Sequence, residues 1–347
     1  MISQLKILIL INWKEAGEWP FLRFLRNTVQ HVEFLQPLSF NHPMLSRLNR
    51  LSKYLSEFYV PYQALIRRKR FDVIISWQMR IGISYGLLKR ITNPGKPPIH
   101  VIQDFHIDLT QKGWWYRIKI ALLKLAIPGI DFFFCTSSEE EKIYSELFGI
   151  PRSRIAFLPL IPPLSYCEEP ASPIKDYIFS YGNSDRDFDT LVRAVASLNI
   201  NTYILSARYQ PRHPIPENVT IIRDRISEKE LIQWIAFSRI VVLPLQDYRI
   251  SAGQLSMLEV MALARPLIIT ANMATKEYAD HQQTALFFDA GNDEALAEHI
   301  GYLWNHREVA EQIGQQARKD AVKLNDRRMI VFERIFECCV IEIEKGV

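Results

Sequence analysis

Two stretches of this sequence combine glycine with charged side chains in a way that suits a phosphorylated ligand. The first is Gly182-Asn183-Ser184-Asp185-Arg186-Asp187, where an apolar run hands over to an amphipathic one. A glycine lets a phosphate approach the backbone, a following helix directs its positive end at that charge, and Arg186 offers a two-pronged contact to phosphate oxygens. The second is Ser251-Ala252-Gly253-Gln254-Leu255, followed by Glu259 on an otherwise apolar helix expected over 255–263. A lone carboxylate in that position could take both hydroxyls of a ribose. Two β-branched runs, 240–243 and 266–270, flank this loop and helix and read as buried parallel strands. Without a ligand, the first stretch reads as a polar loop whose aspartates cap a helix, and Glu259 as half of a buried ion pair. Two loops of this kind in one half of the chain favour the ligand.

Other chemistries find less support. None of the 13 glycines forms a GxG pair, so the dinucleotide fingerprint is missing, as is the Walker phosphate loop. No His/Cys cluster has metal-ligand spacing and HExxH does not occur, so no metal and no cofactor is expected. Gly82-Ile83-Ser84-Tyr85-Gly86 fits the GxSxG pattern of a nucleophile elbow, but that serine must sit directly at a strand-to-helix turn. Here 78–81 intervene after a strand ending at Trp77, which places Ser84 inside the helix.

The elements that must position these residues alternate strand and helix along the whole chain. Apolar runs at 5–11, 31–38, 71–77, 98–105 and 130–135 read as strands of a first half. Amphipathic segments between them read as helices, among them 46–70 with a break at Pro61, and 114–127. Ser137 and Ser138, each with a glutamate three residues on, offer a capping box for a helix to Phe148. The pattern restarts with strands at 177–181, 202–206 and 219–223, and the end of the chain reads as helices 292–305, 307–323 and 327–344. Alternation of this kind predicts parallel sheets covered by helices on both faces, an α/β class. Five prolines between 159 and 173 mark a hinge. The expected organisation is a domain over 1–160, a proline-rich linker over 161–175, a second domain over 176–325, and a terminal helix over 326–347. A ligand is expected in the cleft between two Rossmann-like domains.

Charge is unevenly divided. Residues 1–165 carry 22 Lys+Arg against 12 Asp+Glu, and residues 166–347 carry 20 against 26. The first half should therefore face something anionic. Trp114-Trp115-Tyr116-Arg117-Ile118-Lys119, with Lys112, Lys124 and the cluster Arg67–Arg70, would suit an anionic membrane surface. The alternative is a set of core aromatics beside snorkelling lysines. The four cysteines show no framework, the apolar run at 5–11 is short for a signal peptide, and no run is long enough to span a bilayer. A cytoplasmic protein, peripheral on a membrane or free of it, is the expectation.

The second half resembles glycosyltransferases of the GT-B fold, especially glycosyltransferase family four. The resemblance is carried by YGNSDRDFDTLVRAV, IVVLPLQ, ISAGQLSMLEVMALARPLIIT and TKEYADHQQTALFFDAGNDEALAEHI, and is mainly topological over 1–160. It implies a nucleotide-sugar donor in the C-terminal domain, an acceptor in the N-terminal domain, a last helix over 326–347 that crosses back to the N-terminal domain, and retaining transfer; the missing metal-ligand set makes that transfer metal-independent. Glu259 matches the second glutamate of the family's Glu-x7-Glu motif, at the donor's ribose. Gly253, Gln254 and Leu255 match the loop near the diphosphate, and Arg186 resembles the basic residue that neutralises it; Gly182, Ser251 and Ala252 are expected at the donor beside them. The first glutamate of the motif falls at Ser251, which opens the questions of sugar identity, stereochemical outcome and activity. A lysine of the family has no clear match here; Arg208 or Arg212 takes its place. In the N-terminal half, Asp104 or His106 resembles the family's active-site position, and Asn12, Trp13, Gln78 and Arg80 are expected at the acceptor, whether glycan, lipid-linked or small. A donor-binding subunit without catalysis, or an epimerase of nucleotide sugars, are the competing classes.

Overall fold

The computed structural model describes residues 4–13, 25–37, 49–92, 98–109, 111–167, 173–246 and 252–345. The chain divides into two compact units. One comprises 1–107, 111–158 and 330–347, the other 108–110 and 159–329.

The first unit is built on six parallel strands: β1 (Lys6–Leu10), β2 (His31–Leu35), β3 (Val73–Gln78), β4 (Ile99–Asp104), β5 (Phe132–Cys135) and β6 (Ile155–Phe157), in the order β2-β1-β3-β4-β5-β6. Strands β1, β3, β4 and β5 are apolar on both faces and almost wholly buried, as a sheet covered on both sides requires. Among the described residues its longer crossover helices are α1 (Asn49–Arg67), α2 (Met79–Thr92), α3 (Trp114–Ala126) and α4 (Ser138–Phe148). Each of these four crossovers advances in the same direction along the sheet. With right-handed connections they lie on one face of it.

The second unit repeats the plan. After the short helix α5 (Leu164–Cys167) come β7 (Ile178–Tyr181), α6 (Phe188–Val195), β8 (Thr202–Leu205), β9 (Val219–Ile222), α7 (Glu228–Phe237) and β10 (Ile240–Leu243). Then follow α8 (Gln254–Ala262), β11 (Leu267–Thr270), α9 (Thr275–Tyr278), β12 (Leu286–Phe288) and α10 (Asp293–Asn305). The strand order is β12-β11-β10-β7-β8-β9, all parallel. In both sheets the chain reverses direction beside its first strand, between β1 and β3 and between β7 and β10. The carboxyl ends of such a pair splay apart and leave a crevice for a ligand.

Two local expectations need correction. The helix over 49–67 runs through Pro61 without a break. Its neighbours Val60 and Ala64 are fully buried in a cluster with Leu8, Ile74 and Tyr85, and this packing outweighs the lost backbone hydrogen bond. The two terminal helices are one, α11 (Arg307–Lys345). Buried Ala317, Ala321, Leu324, Phe332, Phe336 and Cys339 keep the helical spacing across Asn325-Asp326, so weak local propensity yields to burial. Phe332, within the part of α11 that belongs to the first unit, meets Phe134 edge to face at 5.5 Å. Within the proline-rich segment 164–167 are helical, and the Tyr166 hydroxyl donates to Glu228 at 3.0 Å.

Candidate functional site

At the second unit's crevice, β7 ends in Tyr181 and turns at Gly182, whose φ of +128° is open to glycine and strained for other residues. The turn brings Arg186 back beneath it. The Arg186 guanidinium donates from Nε to the Tyr181 carbonyl at 2.9 Å, from Nη1 to the Ser184 carbonyl at 3.1 Å and from Nη2 to Ser256 Oγ at 2.9 Å. Backbone pairing of Arg186 with Leu245, and a bond from Gln246 Nε2 to the Arg186 carbonyl at 2.8 Å, tie this loop to the end of β10. Burial lowers the pKa of Arg186 from its usual value, and the nearby Tyr181, Asp185 and Glu259 act in the opposite direction.

Glu259 lies one helical turn beyond Ser256 on α8. The Tyr181 hydroxyl donates to Glu259 Oε2 at 2.7 Å and to the Ser256 carbonyl at 2.9 Å. Burial raises the Glu259 carboxyl above its ordinary value, opposed by the tyrosine bond and by Arg186. Tyr181, Gly182, Arg186, Ser256 and Glu259 thus form one network at the point where the strand order reverses. Its helix, α8, starts at Gly253 in a left-handed conformation with φ +87°, and no side chain caps it. Its first amides are accordingly the positive end of a dipole. Leu255 is exposed and Gln254 buried on that first turn. Ala252 is held by Asn272, whose Nδ2 donates to the Ala252 carbonyl at 3.0 Å. Ser251, where the resemblance leads one to expect a glutamate, lies outside the described residues.

A cavity of about 750 Å³ opens beside the network, lined among others by Gly182, Arg186, Ser206, Arg208, Arg212 and Gln246. Arg212 is drawn to Asp189 at 3.6 Å, and Arg208 stands on the same wall. The capping reading of this loop also holds in part, since Asp187 accepts from Thr190 N at 3.3 Å and from its hydroxyl at 2.6 Å. Gly182 is the tightest position of the loop, for a Cβ there would come within 2.6 Å of Arg186 Nε. Gly182→Ala should therefore destabilise the second unit by about 1–3 kcal/mol and displace the guanidinium. Thermal unfolding of the variant beside the wild type measures this, and an unchanged melting temperature would contradict it.

In the first unit, Gln78 and Asp104 are register partners at the carboxyl ends of β3 and β4, so they stand side by side on one sheet edge. Gln78 Oε1 is buried without a hydrogen-bond partner, while Asp104 is exposed. Asn12 and Trp13 follow β1 on the same edge, and Trp13 meets Trp77 edge-on at 6.2 Å. Arg80 points elsewhere, pairing with Glu57 of α1 at 3.2 Å. His106 lies just beyond β4, with its Nδ1 2.8 Å from Glu140 Oε1. His100 is separate from this group: it is fully buried between Ser76 Oγ (2.9 Å) and the Gly129 carbonyl (3.3 Å), and burial depresses its pKa well below the usual range.

Glu140 is the residue that sequence reasoning missed. The capping box predicts that its carboxylate returns to the Ser137 amide. Ser137 does cap α4, accepting from Glu140 N at 3.1 Å. The Glu140 carboxylate instead accepts from the Thr136 amide and hydroxyl, both at 2.9 Å, from Tyr144 at 3.0 Å, and contacts His106. The only signal in the sequence is three consecutive glutamates on a helix whose cap needs one. Tyr181, Ser256 and Asn272 were also missed, because small or aromatic residues in apolar surroundings carry no chemical signature. Among the described residues, no group of three or more His, Cys, Asp or Glu could hold a metal ion.

Residues 186–306 match the family described as Glycosyl transferases group 1. No curated protein matches the chain. Similar solved structures include sucrose-phosphate synthase from Thermosynechococcus elongatus, with 13% identity and a TM-score of 0.66 over 96% of this chain and 100% of that one. The Anabaena protein HepE in complex with UDP-glucose gives 13% identity and a TM-score of 0.64, over 95% and 100% of the two chains. The E. coli trehalose-6-phosphate protein bound with UDP-2-fluoro glucose gives 10% identity and a TM-score of 0.72, over 95% and 99%. At such identities the likeness shows the fold, two Rossmann-like units of the GT-B type.

Proposed function

We propose that this chain, whose residues 186–306 carry a group 1 glycosyltransferase domain on the GT-B fold, transfers a sugar from a nucleotide-diphosphate donor to a hydroxyl of a glycan, lipid-linked or small acceptor. The observation that carries this reading is the network of Tyr181, Arg186, Ser256 and Glu259 at the reversal of strand order. In it, a carboxylate for a ribose and a cation for a diphosphate are fixed by a shared tyrosine and serine. The bond from the anomeric carbon to the donor's phosphate oxygen breaks, and a bond to the acceptor oxygen forms. Charge gathers on the leaving diphosphate, and Arg186 with the first amides of α8 is placed to stabilise it. That supply of positive charge lets the scheme run without a metal or other cofactor. The acceptor's proton passes to His106 or Asp104 of the first unit, with Asn12, Trp13 and Gln78 positioning the acceptor. Arg80, engaged with Glu57, is left out of that role. Retention at the anomeric carbon is carried over from the family resemblance.

That two similar folds hold UDP-glucose or a UDP-fluoroglucose makes uridine diphosphate sugars the first donors to try. A ligand at about 100 times its dissociation constant stabilises a protein by about 2.7 kcal/mol, which raises the melting temperature by several degrees. A thermal-shift screen over nucleotide sugars should show that rise for at least one donor, followed by release of free nucleotide diphosphate once an acceptor is supplied. No stabilisation by any nucleotide sugar would overturn the reading. Stabilisation without turnover over a broad acceptor panel would point to a donor-binding subunit, the class that Ser251 favours, and isomerised donor without acceptor to an epimerase.

A further inference from the structure

Three helices of the first unit turn large apolar side chains outward. On α1 they are Leu55, Phe58, Tyr62 and Ile66, spaced by three, four and four residues, so they form one stripe. Phe58 is 70% exposed. On α3 they are Trp114, Trp115, Ile118, Leu122 and Leu125, again one stripe, with Trp115 at 68%. On the same helix Leu123 and Ala126 are buried, so the stripe is bordered by the part of α3 that packs on the unit. The two tryptophans lie against each other, with ring centroids 3.7 Å apart and planes tilted by 31°, instead of packing into the core. Helix α2 lies between α1 and α3, packs against both, and ends in Ile91, 69% exposed.

The helix ends are tied together. Arg68, just past α1, donates to Thr92 Oγ1 of α2 at 3.2 Å, and Arg90 of α2 donates to the Leu125 carbonyl of α3 at 2.6 Å. Ile66, Ile91 and Leu125 therefore share one end of a single face. Cations frame that face. Lys119 lies on one side of the α3 stripe and Arg117 and Lys124 on the other, Lys112 stands exposed just before the helix, and Lys69 follows α1, where the next residue, Arg70, is paired with Glu33 at 3.2 Å. The three helices contain a single acid, Glu57, and it is engaged by Arg80. No described helix is long and apolar enough to cross a membrane. An outward apolar stripe between rows of lysine and arginine is the pattern of a helix lying in a bilayer interface.

We propose that this three-helix face docks the first unit on an anionic lipid bilayer. The aromatic and aliphatic stripes enter the headgroup boundary and the flanking cations meet lipid phosphates. The proposal rests on no assignment at the donor network, so vesicle binding and donor binding can fail separately. The test is co-sedimentation of the full chain with phosphatidylcholine vesicles, with and without phosphatidylglycerol, at low and high salt. Binding should need the anionic lipid and weaken with salt. A Phe58→Ser/Trp115→Ser/Ile118→Ser variant should lose at least about ten-fold in partitioning, and Lys112→Gln or Lys124→Gln about five-fold each. These side chains are exposed, so melting temperatures and the donor-induced shift should remain as in the wild type. Quenching of native tryptophan emission by brominated lipids gives an independent readout of insertion. Absence of binding to anionic vesicles at low salt would overturn the proposal. So would equal binding to neutral vesicles, or a concentration-dependent dimer abolished by the serine variant, which would make a second copy the occupant.

Discussion

Replacing His106 with alanine should lower kcat by about 10²–10⁴-fold, the usual worth of a positioned general base. The melting temperature and the donor-induced stabilisation should stay close to wild type. The argument rests on the contact between Nδ1 and Glu140, a carboxylate already satisfied by Thr136 and Tyr144 and therefore fixed in place. Holding Nδ1 sets the ring orientation and tautomer and assigns proton transfer to Nε2. Glu140 is then a positioning residue, and Glu140→Gln tests it by a readout that packing alone would not move. Loss of the carboxylate releases the orientation of the ring, so kcat should fall while KM changes little. Asp104→Asn provides the comparison at the exposed end of β4. A loss there larger than at His106 would transfer the role to the aspartate, and full activity of His106→Ala would remove the histidine from the mechanism.

Arg186→Ala should raise the dissociation constant of a nucleotide-diphosphate sugar by about ten- to a hundred-fold, the value of one or two charge-assisted hydrogen bonds. The guanidinium spans Tyr181, Ser184 and Ser256 with separate N–H groups, and lysine cannot reproduce that fork. Arg186→Lys should therefore recover only part of the affinity. The substitution also takes away a cation that lowers the Glu259 pKa, so the carboxyl should titrate at higher pH in the variant and donor binding should fall off sooner on acidification. Calorimetry with the nucleoside diphosphate alone separates the effects. If the contact is to the diphosphate, free diphosphate and donor lose affinity equally. Unchanged affinity for both would remove Arg186 from the diphosphate site.

How far each feature was legible depended on the range of the forces that fix it. The strands at 71–77 and 240–243, the Ser137 cap and the glycine turn at 182 follow from contacts within a few residues, and their patterns could be read directly. Pro61 misled because its local cost is set against burial of Val60 and Ala64 on strands that the helix itself cannot specify. The same holds for the continuous α11, where Leu324 and Phe332 outweigh Asn325-Asp326.

The site shows the division most clearly. Gly182, Arg186 and Glu259 announce themselves by residue type, and the sequence by itself determined that a cation, a glycine turn and a lone carboxylate occupy two loops of one parallel sheet. Only the tertiary structure decided what joins them. Tyr181 and Glu259 are 78 positions apart and Arg186 and Ser256 are 70 apart, yet each pair meets within 2.9 Å because β7 and β10 are neighbours across the reversal of strand order. Likewise Glu140 left its predicted cap for a histidine 34 positions earlier. A buried carboxylate takes whichever donors the fold brings to it, and that choice depends on desolvation and long-range packing, which no local spacing encodes.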